Sequence, residues 1–276
     1  MTLFLTIGSQ VAATIGPKAR TDKLMNFELT AVTPVYADGS VFTCRAALTV
    51  DPSAQLLAGY IEEERLNRIA LFVTNDEQGE SYETKLSALV LPFAEIVRRE
   101  RYQLTDIDFR TQITRIKASK PDALLVIAPG QHAPRILQQL RELGFNRPLL
   151  SNNWTIKNPF LTDLSLANGV VFTDYQYQMD EPSSGNTMRN DFVQHFRETY
   201  REDPPIVAAT AYDALNLIAS AVNQGITDAS SVASFISRTK DYPGASGDWT
   251  FNSDCEASQG AVLRVVKNGQ FVPLGE

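Results

Sequence analysis

From Arg68 to Thr173 the sequence alternates short apolar, β-branched runs with stretches whose apolar residues recur at helical spacing, and this alternation constrains the fold more than any other feature. Arg68–Thr74 (RIALFVT), Glu95–Arg101, Asp122–Ala128 (DALLVIA), Pro148–Ser151 and Gly169–Thr173 read as strands. Between them, Tyr82–Leu91 reads as a helix stopped by Pro92. Phe109, Ile113 and Ile116 form the stripe of another, capped by Thr105 or Asp106. Residues 133–143 carry Ile136, Leu137, Leu140 and Leu143 on one face and stop at Gly144. Upstream, Asp51-Pro52 reads as a helix start, with Leu56, Leu57, Tyr60 and Ile61 as its stripe. Strands separated by amphipathic helices of about 10–15 residues predict βαβ units and parallel sheets covered on both faces.

In such sheets small molecules bind at the carboxyl ends of the strands. Those ends are expected at Gly16–Thr21, Val35–Gly39, Asn75–Gly79, Pro129–His132 and Asn152–Thr155, with Val11–Ile15 read as a buried strand ending in Gly16-Pro17. The apolar start Met1–Gly16 fits an export signal poorly, because no Lys or Arg precedes Lys18 and Gly8-Ser9-Gln10 interrupts the run.

After Gly185 the pattern changes. Met188–Tyr200, Val207–Asn223 and Ser231–Arg238 read as helices, then Asp248–Phe251 and Ala261–Val266 as strands, with Asn268-Gly269 a hairpin turn. Ser183-Ser184-Gly185 and Tyr242–Gly247 are linker candidates. The chain's 276 residues are enough for two domains. Its net charge of −7 disfavours a phosphate-neutralising surface, so nucleic acid is not an expected partner. Cys44 and Cys255 are too few for a disulfide framework or zinc knuckle, and a single long-range bridge is left open.

Catalytic signatures are thin. The chain has no G-x-S-x-G elbow, phosphate loop, G-x-G-x-x-G or H-E-x-x-H, and no cofactor or metal is expected. His195 reads as a surface helix residue, whereas His132 falls in a strand-end loop and is weighed as a ligand contact. Asn252–Glu256 reads as a solvated turn, and Asn153-Trp154-Thr155 is a glycosylation sequon too short to carry weight.

Several segments, in order along the chain, are similar to the type 1 periplasmic-binding-protein family, in particular the branched-chain amino-acid-type substrate-binding proteins of ABC transporters. Val11–Pro17 (VAATIGP) resembles the strand before the family's first ligand loop, and Arg68–Gly79 (RIALFVTNDEQG) its strand and turn opening the second lobe. Asp108–Gly144 resembles the "D-F…P-D…R-x-L-G" unit. Phe192–Ala221 resembles the "F…Y…P…A…YDA" helices, and Gly244–Phe251 with Val262–Pro273 the closing "G-x-(S/T)-G-x-x-x-F…V-x-x-G-x-F-V-P". The resemblance implies an α/β fold of two Rossmann-like lobes with parallel sheets, joined by three crossovers, that clamp a ligand by hinge closure. Lobe one maps to 1–48 and 178–246, lobe two to 49–177 and 247–276. Family members begin with a further strand, helix and strand, so lobe one is expected to be incomplete: a truncated product or a degenerate homologue.

Carried over by position, the implied ligand contacts are Arg20 and Thr21, then Tyr36 and Ala37, and in lobe two Gln78, Pro129, Asn153 and Trp154. The family places a hydroxyl for the ligand carboxylate where this chain has Arg20 and Ala37, aromatics where it has Gln78 and Pro129, and an acidic ammonium partner where it has Asn153. These departures weaken the case for a free α-amino acid. The implied function is solute binding for an ABC importer, with a membrane permease as partner and an extracytoplasmic location. A ligand-sensing regulatory domain of the same fold, which leaves a cytoplasmic location open, and a remnant that no longer binds are the alternatives. An enzyme is not expected.

Overall fold

In the computed structural model, which describes residues 3–31, 42–47, 49–176, 185–258 and 260–275, the chain divides into two compact units. Unit 1 is Met1–Thr49 with Tyr175–Gly260, unit 2 is Val50–Asp174 with Ala261–Glu276, and the chain passes between them three times.

Unit 1 holds β1 (Leu3–Thr6), α1 (Ser9–Asp22), β2 (Met25–Glu28) and β3 (Thr43–Ala47), then α7 (Thr187–Tyr200), α8 (Ile206–Asn223), α9 (Ala229–Ser237), β9 (Tyr242–Gly244), β10 (Gly247–Trp249) and β11 (Glu256–Ser258). Its main sheet runs β1-β2-β3-β11, all parallel, with Leu5 opposite Phe27 and Phe27 opposite Cys44. The period of two along a strand sorts the side chains. Met25, Phe27, Cys44 and Ala46 join one core with Leu217 and Ile218 of α8, Val232 and Ile236 of α9, and Trp249 and Phe251. Phe27 stacks on Trp249 at 6.0 Å and meets Phe251 edge-on at 6.3 Å. Each such ring contributes about 1.5–3 kcal/mol by burial.

The alternate residues Thr6, Asn26, Glu28, Thr43 and Arg45 are all buried too. A Cys44–Cys255 disulfide closes this unit, with Cα atoms 4.7 Å apart.

Three readings of unit 1 are corrected. Val11–Ile15 is not a strand, since helix α1 runs from Ser9 through Gly16-Pro17 to Asp22. Ala12, Gly16 and Ala19, spaced four and three apart, are its buried positions among the described residues. Residues so small give a weak hydrophobic signal, while Val11 and Ile15 mimic β-branched strand formers. Tyr242–Gly247 is a hairpin rather than a linker, β9 pairing antiparallel with β10. Buried Asp213 holds its turn, accepting from the Ala245 and Ser246 amides and the Ser246 hydroxyl at 2.7 Å each. Residues 247–260 belong to unit 1, not the second lobe, because β10 pairs with β9, β11 pairs with β3 and Cys255 bonds Cys44. Ser183 and Ser184 lie outside the described residues, and Gly185 is a bend.

Unit 2 holds α2 (Val50–Glu63), β4 (Arg68–Thr74), α3 (Glu77–Val90), β5 (Glu95–Tyr102), α4 (Arg110–Ala118), β6 (Ala123–Ile127), α5 (His132–Glu142), β7 (Leu149–Asn152), α6 (Asn153–Ile156), β8 (Val171–Tyr175), β12 (Ala261–Lys267) and β13 (Gln270–Pro273). The sheet order is β13-β12-β8-β7-β6-β4-β5, and β8-β7-β6-β4-β5 are parallel. One face buries Phe72, Leu124, Val126 and Phe172 against Phe109 and Ile113 and against Ile136 and Leu140 of α5. The expected caps Thr105 and Asp106 do not start α4: Asp106 accepts from the Gln103 amide in a turn, and α4 begins at Arg110.

Asn268 and Gly269 have φ of 51° and 76°, the positive pair a two-residue type I′ hairpin needs. The exposed edge strand β5 carries Arg98, Arg99 and Arg101, which pair with Glu100 and Glu83, so charge protects that edge from further pairing.

Candidate functional site

In unit 2 three strand-to-helix junctions lie at the carboxyl edge of the sheet, where a parallel sheet presents its binding residues. At the β4–α3 junction Asp76 caps the helix, its Oδ1 accepting from the Gly79 amide at 2.8 Å. Gly79 packs so closely that a Cβ there would lie 1.9 Å from the Thr74 carbonyl oxygen. Half-buried Gln78 sits in that first turn.

At the β6–α5 junction Pro129 is half-buried and Gly130 takes φ 56°. His132, weighed as a ligand contact, instead ties the loop to its neighbour. Its Nε2 lies 2.9 Å from the Leu104 carbonyl and its Nδ1 3.3 Å from that of Pro129, and its ring packs beside Tyr102 and Phe109. With both ring nitrogens turned to backbone oxygens and 7% exposure, it is a packing residue. His195, on α7, is exposed, its Nδ1 2.7 Å from the Asp191 carbonyl one turn back.

The β7–α6 junction is the most tightly built. Asn152 Oδ1 caps α6, accepting from the Thr155 amide at 3.0 Å and its hydroxyl at 2.8 Å, and the Ala128 amide donates to Thr155 Oγ1 at 3.0 Å. Just past α6, Lys157 Nζ pairs with buried Asp174 at 3.1 Å. Asn153 is buried and Trp154 half-buried. Tyr82, on α3, is buried in the same unit, and that burial pushes its hydroxyl pKa up. Gln78, Pro129, Asn153 and Trp154 thus all fall at the carboxyl edge of one sheet.

Unit 1 overturns the placement of Arg20 and Thr21. Both lie in the last turn of α1, and Thr21 Oγ1 donates to the Pro17 carbonyl at 3.0 Å. At 1.5 Å per residue, Arg20 is roughly 16 Å along the helix from the carboxyl end of β1. Tyr36 and Ala37 lie outside the described residues.

The strand ends of unit 1 are instead Ile7–Ser9 after β1 and Leu29–Ala31 after β2, joined where the Gly8 amide donates to Thr30 Oγ1 at 2.8 Å. Beneath them Thr6 meets Asn26 Oδ1 at 2.9 Å and the Glu28 carboxyl, while Arg45 reaches the Ala31 carbonyl at 3.3 Å and Glu256 at 2.5 Å. Burial pushes the Glu28 pKa up against the opposing pull of the Thr6 hydroxyl, two backbone amides and Arg45. Ser9, Thr30 and this polar layer escaped sequence reasoning. The signal of the layer in β2 and β3 was the alternation of Asn26 and Glu28, and of Thr43 and Arg45, with apolar residues, which looks like a solvent face.

The family described as "Periplasmic binding protein" matches residues 2–270. Among curated proteins none matches. Of the solved structures, a type 1 periplasmic binding protein from Bordetella pertussis Tohama I superposes with a TM-score of 0.87 at 20% identity, covering 99% of this chain and 81% of its own. The branched-chain amino acid transporter substrate-binding protein LivJ from Streptococcus pneumoniae, solved with isoleucine, gives 0.83 at 20% identity over 97% of this chain and 77% of that one. A solute-binding protein from R. palustris, solved with benzoate, gives 0.82 at 17% identity, covering 98% and 76%.

Proposed function

The chain belongs to the periplasmic-binding-protein family, and from that premise we propose that it is the substrate-binding component of an ABC importer, taking up a small polar organic solute. The observation that carries this reading is the convergence of Gln78, Pro129, Asn153 and Trp154 on one carboxyl sheet edge. Capture by closure of two lobes, and delivery to a membrane permease, are implied by the family resemblance and belong to the proposal.

The chemistry of those side chains favours a neutral or apolar moiety facing unit 2. Asn153 offers an amide donor and acceptor, Trp154 an indole, and neither is a counter-charge for an ammonium group. The solved relatives named above hold isoleucine in one case and benzoate in another, so this fold accepts both zwitterionic and purely anionic solutes. A location outside the cytoplasm is supported by the Cys44–Cys255 disulfide, since such bonds persist in oxidising compartments.

Thermal shift with isoleucine, leucine, benzoate, amides and purines tests the reading. A solute at a hundredfold excess over its Kd stabilises by about 2.7 kcal/mol, so one class is expected to raise the melting temperature by several degrees. No shift with any of them refutes the reading for those classes.

A further inference from the structure

We propose that Thr155 is a positioning residue that locks two ligand-facing junctions of unit 2 together and so sets the placement of Pro129, Asn153 and Trp154. This rests on the solute-binding reading above.

The side chain is fully buried. Its hydroxyl has one proton to give and gives it to Asn152 Oδ1 at 2.8 Å, and it accepts from the Ala128 amide at 3.0 Å. Ala128 is the first residue beyond β6 and is itself 0% exposed. Its amide has left the strand ladder, and a buried amide without a partner is costly. Thr155 therefore supplies, from the β7–α6 junction, the hydrogen bond that ends β6 and starts the Pro129 loop.

The same residue fixes its own helix. At four residues α6 is far too short to be stable by propagation, so its geometry depends on what pins its ends. At one end Asn152 Oδ1 takes both the amide and the hydroxyl of Thr155. At the other the Thr155 carbonyl accepts from Asn158 Nδ2 at 3.0 Å, and Lys157 pairs with Asp174. A binding residue is effective only if its supporting groups hold it to within about 0.5 Å. One hydroxyl here does this for two loops at once. Valine has the shape but neither hydrogen bond, whereas serine keeps both.

Thr155→Val and Thr155→Ser, in the full chain, separate these roles. Amide hydrogen exchange at Ala128 reads the lock without any ligand, and calorimetry with isoleucine, leucine and benzoate reads its effect on binding. In Thr155→Val, Ala128 exchange is expected to accelerate at least tenfold and affinity for whichever probe the wild type binds to fall at least tenfold, with Thr155→Ser restoring both to within threefold. A merely structural residue would lower the urea midpoint and leave the affinity of the folded protein unchanged, and that outcome overturns the proposal. So does unchanged Ala128 exchange. If the wild type binds none of the three probes, the solute-binding reading fails for them. Exchange at Ala128 then decides: unchanged in Thr155→Val it refutes the lock, and accelerated at least tenfold with Thr155→Ser restoring it, it supports the lock. Should Thr155→Val not fold, Thr155→Ala, which sets no methyl against the Ala128 amide, carries the same comparison.

Discussion

Cys44 and Cys255 stand 211 residues apart in the chain and are bonded to each other inside unit 1, joining β3 to the turn before β11. Unit 1 is assembled from two distant stretches of sequence, and the bond makes its closing strand part of the same covalent ring. In the chain-entropy account a loop this long gains about 5 kcal/mol. Reduction, or Cys44→Ser with Cys255→Ser, is therefore expected to lower the stability of unit 1 by several kcal/mol. Equilibrium urea unfolding followed at Trp249, which lies in the same core, measures it. A midpoint insensitive to reductant contradicts it.

Asp213 makes stability depend on pH. Burial raises its pKa to about 6, despite the Ala245 and Ser246 hydrogen bonds that oppose the shift. With the folded value above the ordinary 3.8, the folded state holds the proton more tightly. The contribution is complete below pH 4 and is lost as pH rises through 6, by roughly 3 kcal/mol. Glu28, also pushed up by burial, acts in the same direction. Comparing urea midpoints at pH 4.5 and 7.5, Asp213→Asn is expected to flatten the difference relative to wild type. An equal slope in both proteins would rule Asp213 out as its source.

Gly79 tolerates no side chain. A Cβ 1.9 Å from the Thr74 oxygen must push backbone against backbone, and overpacking of that kind costs about 1–3 kcal/mol or more. Gly79→Ala is expected to destabilise unit 2 by at least that amount, whereas Gly59→Ala, where a Cβ meets nothing within 4 Å, stabilises slightly because the unfolded chain loses freedom. Chemical denaturation of the two variants distinguishes a packing constraint from a general glycine effect.

The site assignment gives opposite expectations for residues that sequence reasoning treated alike. Asn153→Ala and Trp154→Ala are expected to weaken a bound solute by about tenfold or more, the equivalent of roughly 1.4 kcal/mol. Arg20→Ala, which only the family resemblance made a ligand contact and which lies in the last turn of α1, is expected to change affinity less than about twofold. Titration calorimetry on the three variants checks this. A large loss confined to Arg20→Ala would return the site to the helix end.

The fold was legible where the chemistry is local. RIALFVT, DALLVIA and the stripe Ile136, Leu137, Leu140 announce β4, β6 and α5, since a strand buried on both faces needs continuous apolar residues and a covering helix needs one apolar face. Asn268-Gly269 likewise specifies its own turn. The junctions of unit 2 follow from those elements, so Gln78, Pro129, Asn153 and Trp154 could be placed at strand ends by counting along the chain.

Tertiary structure decided the rest. Val11–Ile15 folds as part of α1 because Ala12, Gly16 and Ala19 can approach a sheet closely, an advantage that exists only once the sheet is there. Glu28 and Arg45 are buried because distant segments cover them, although their alternation reads as a wet face. His132 is consumed by the Leu104 carbonyl, 28 residues upstream, and Thr155 acquires its role from an amide 27 residues away. Residue type and spacing determine the elements and the edge at which they meet. Which polar groups there are already committed to each other depends on contacts between residues far apart in sequence, which only the folded chain brings together.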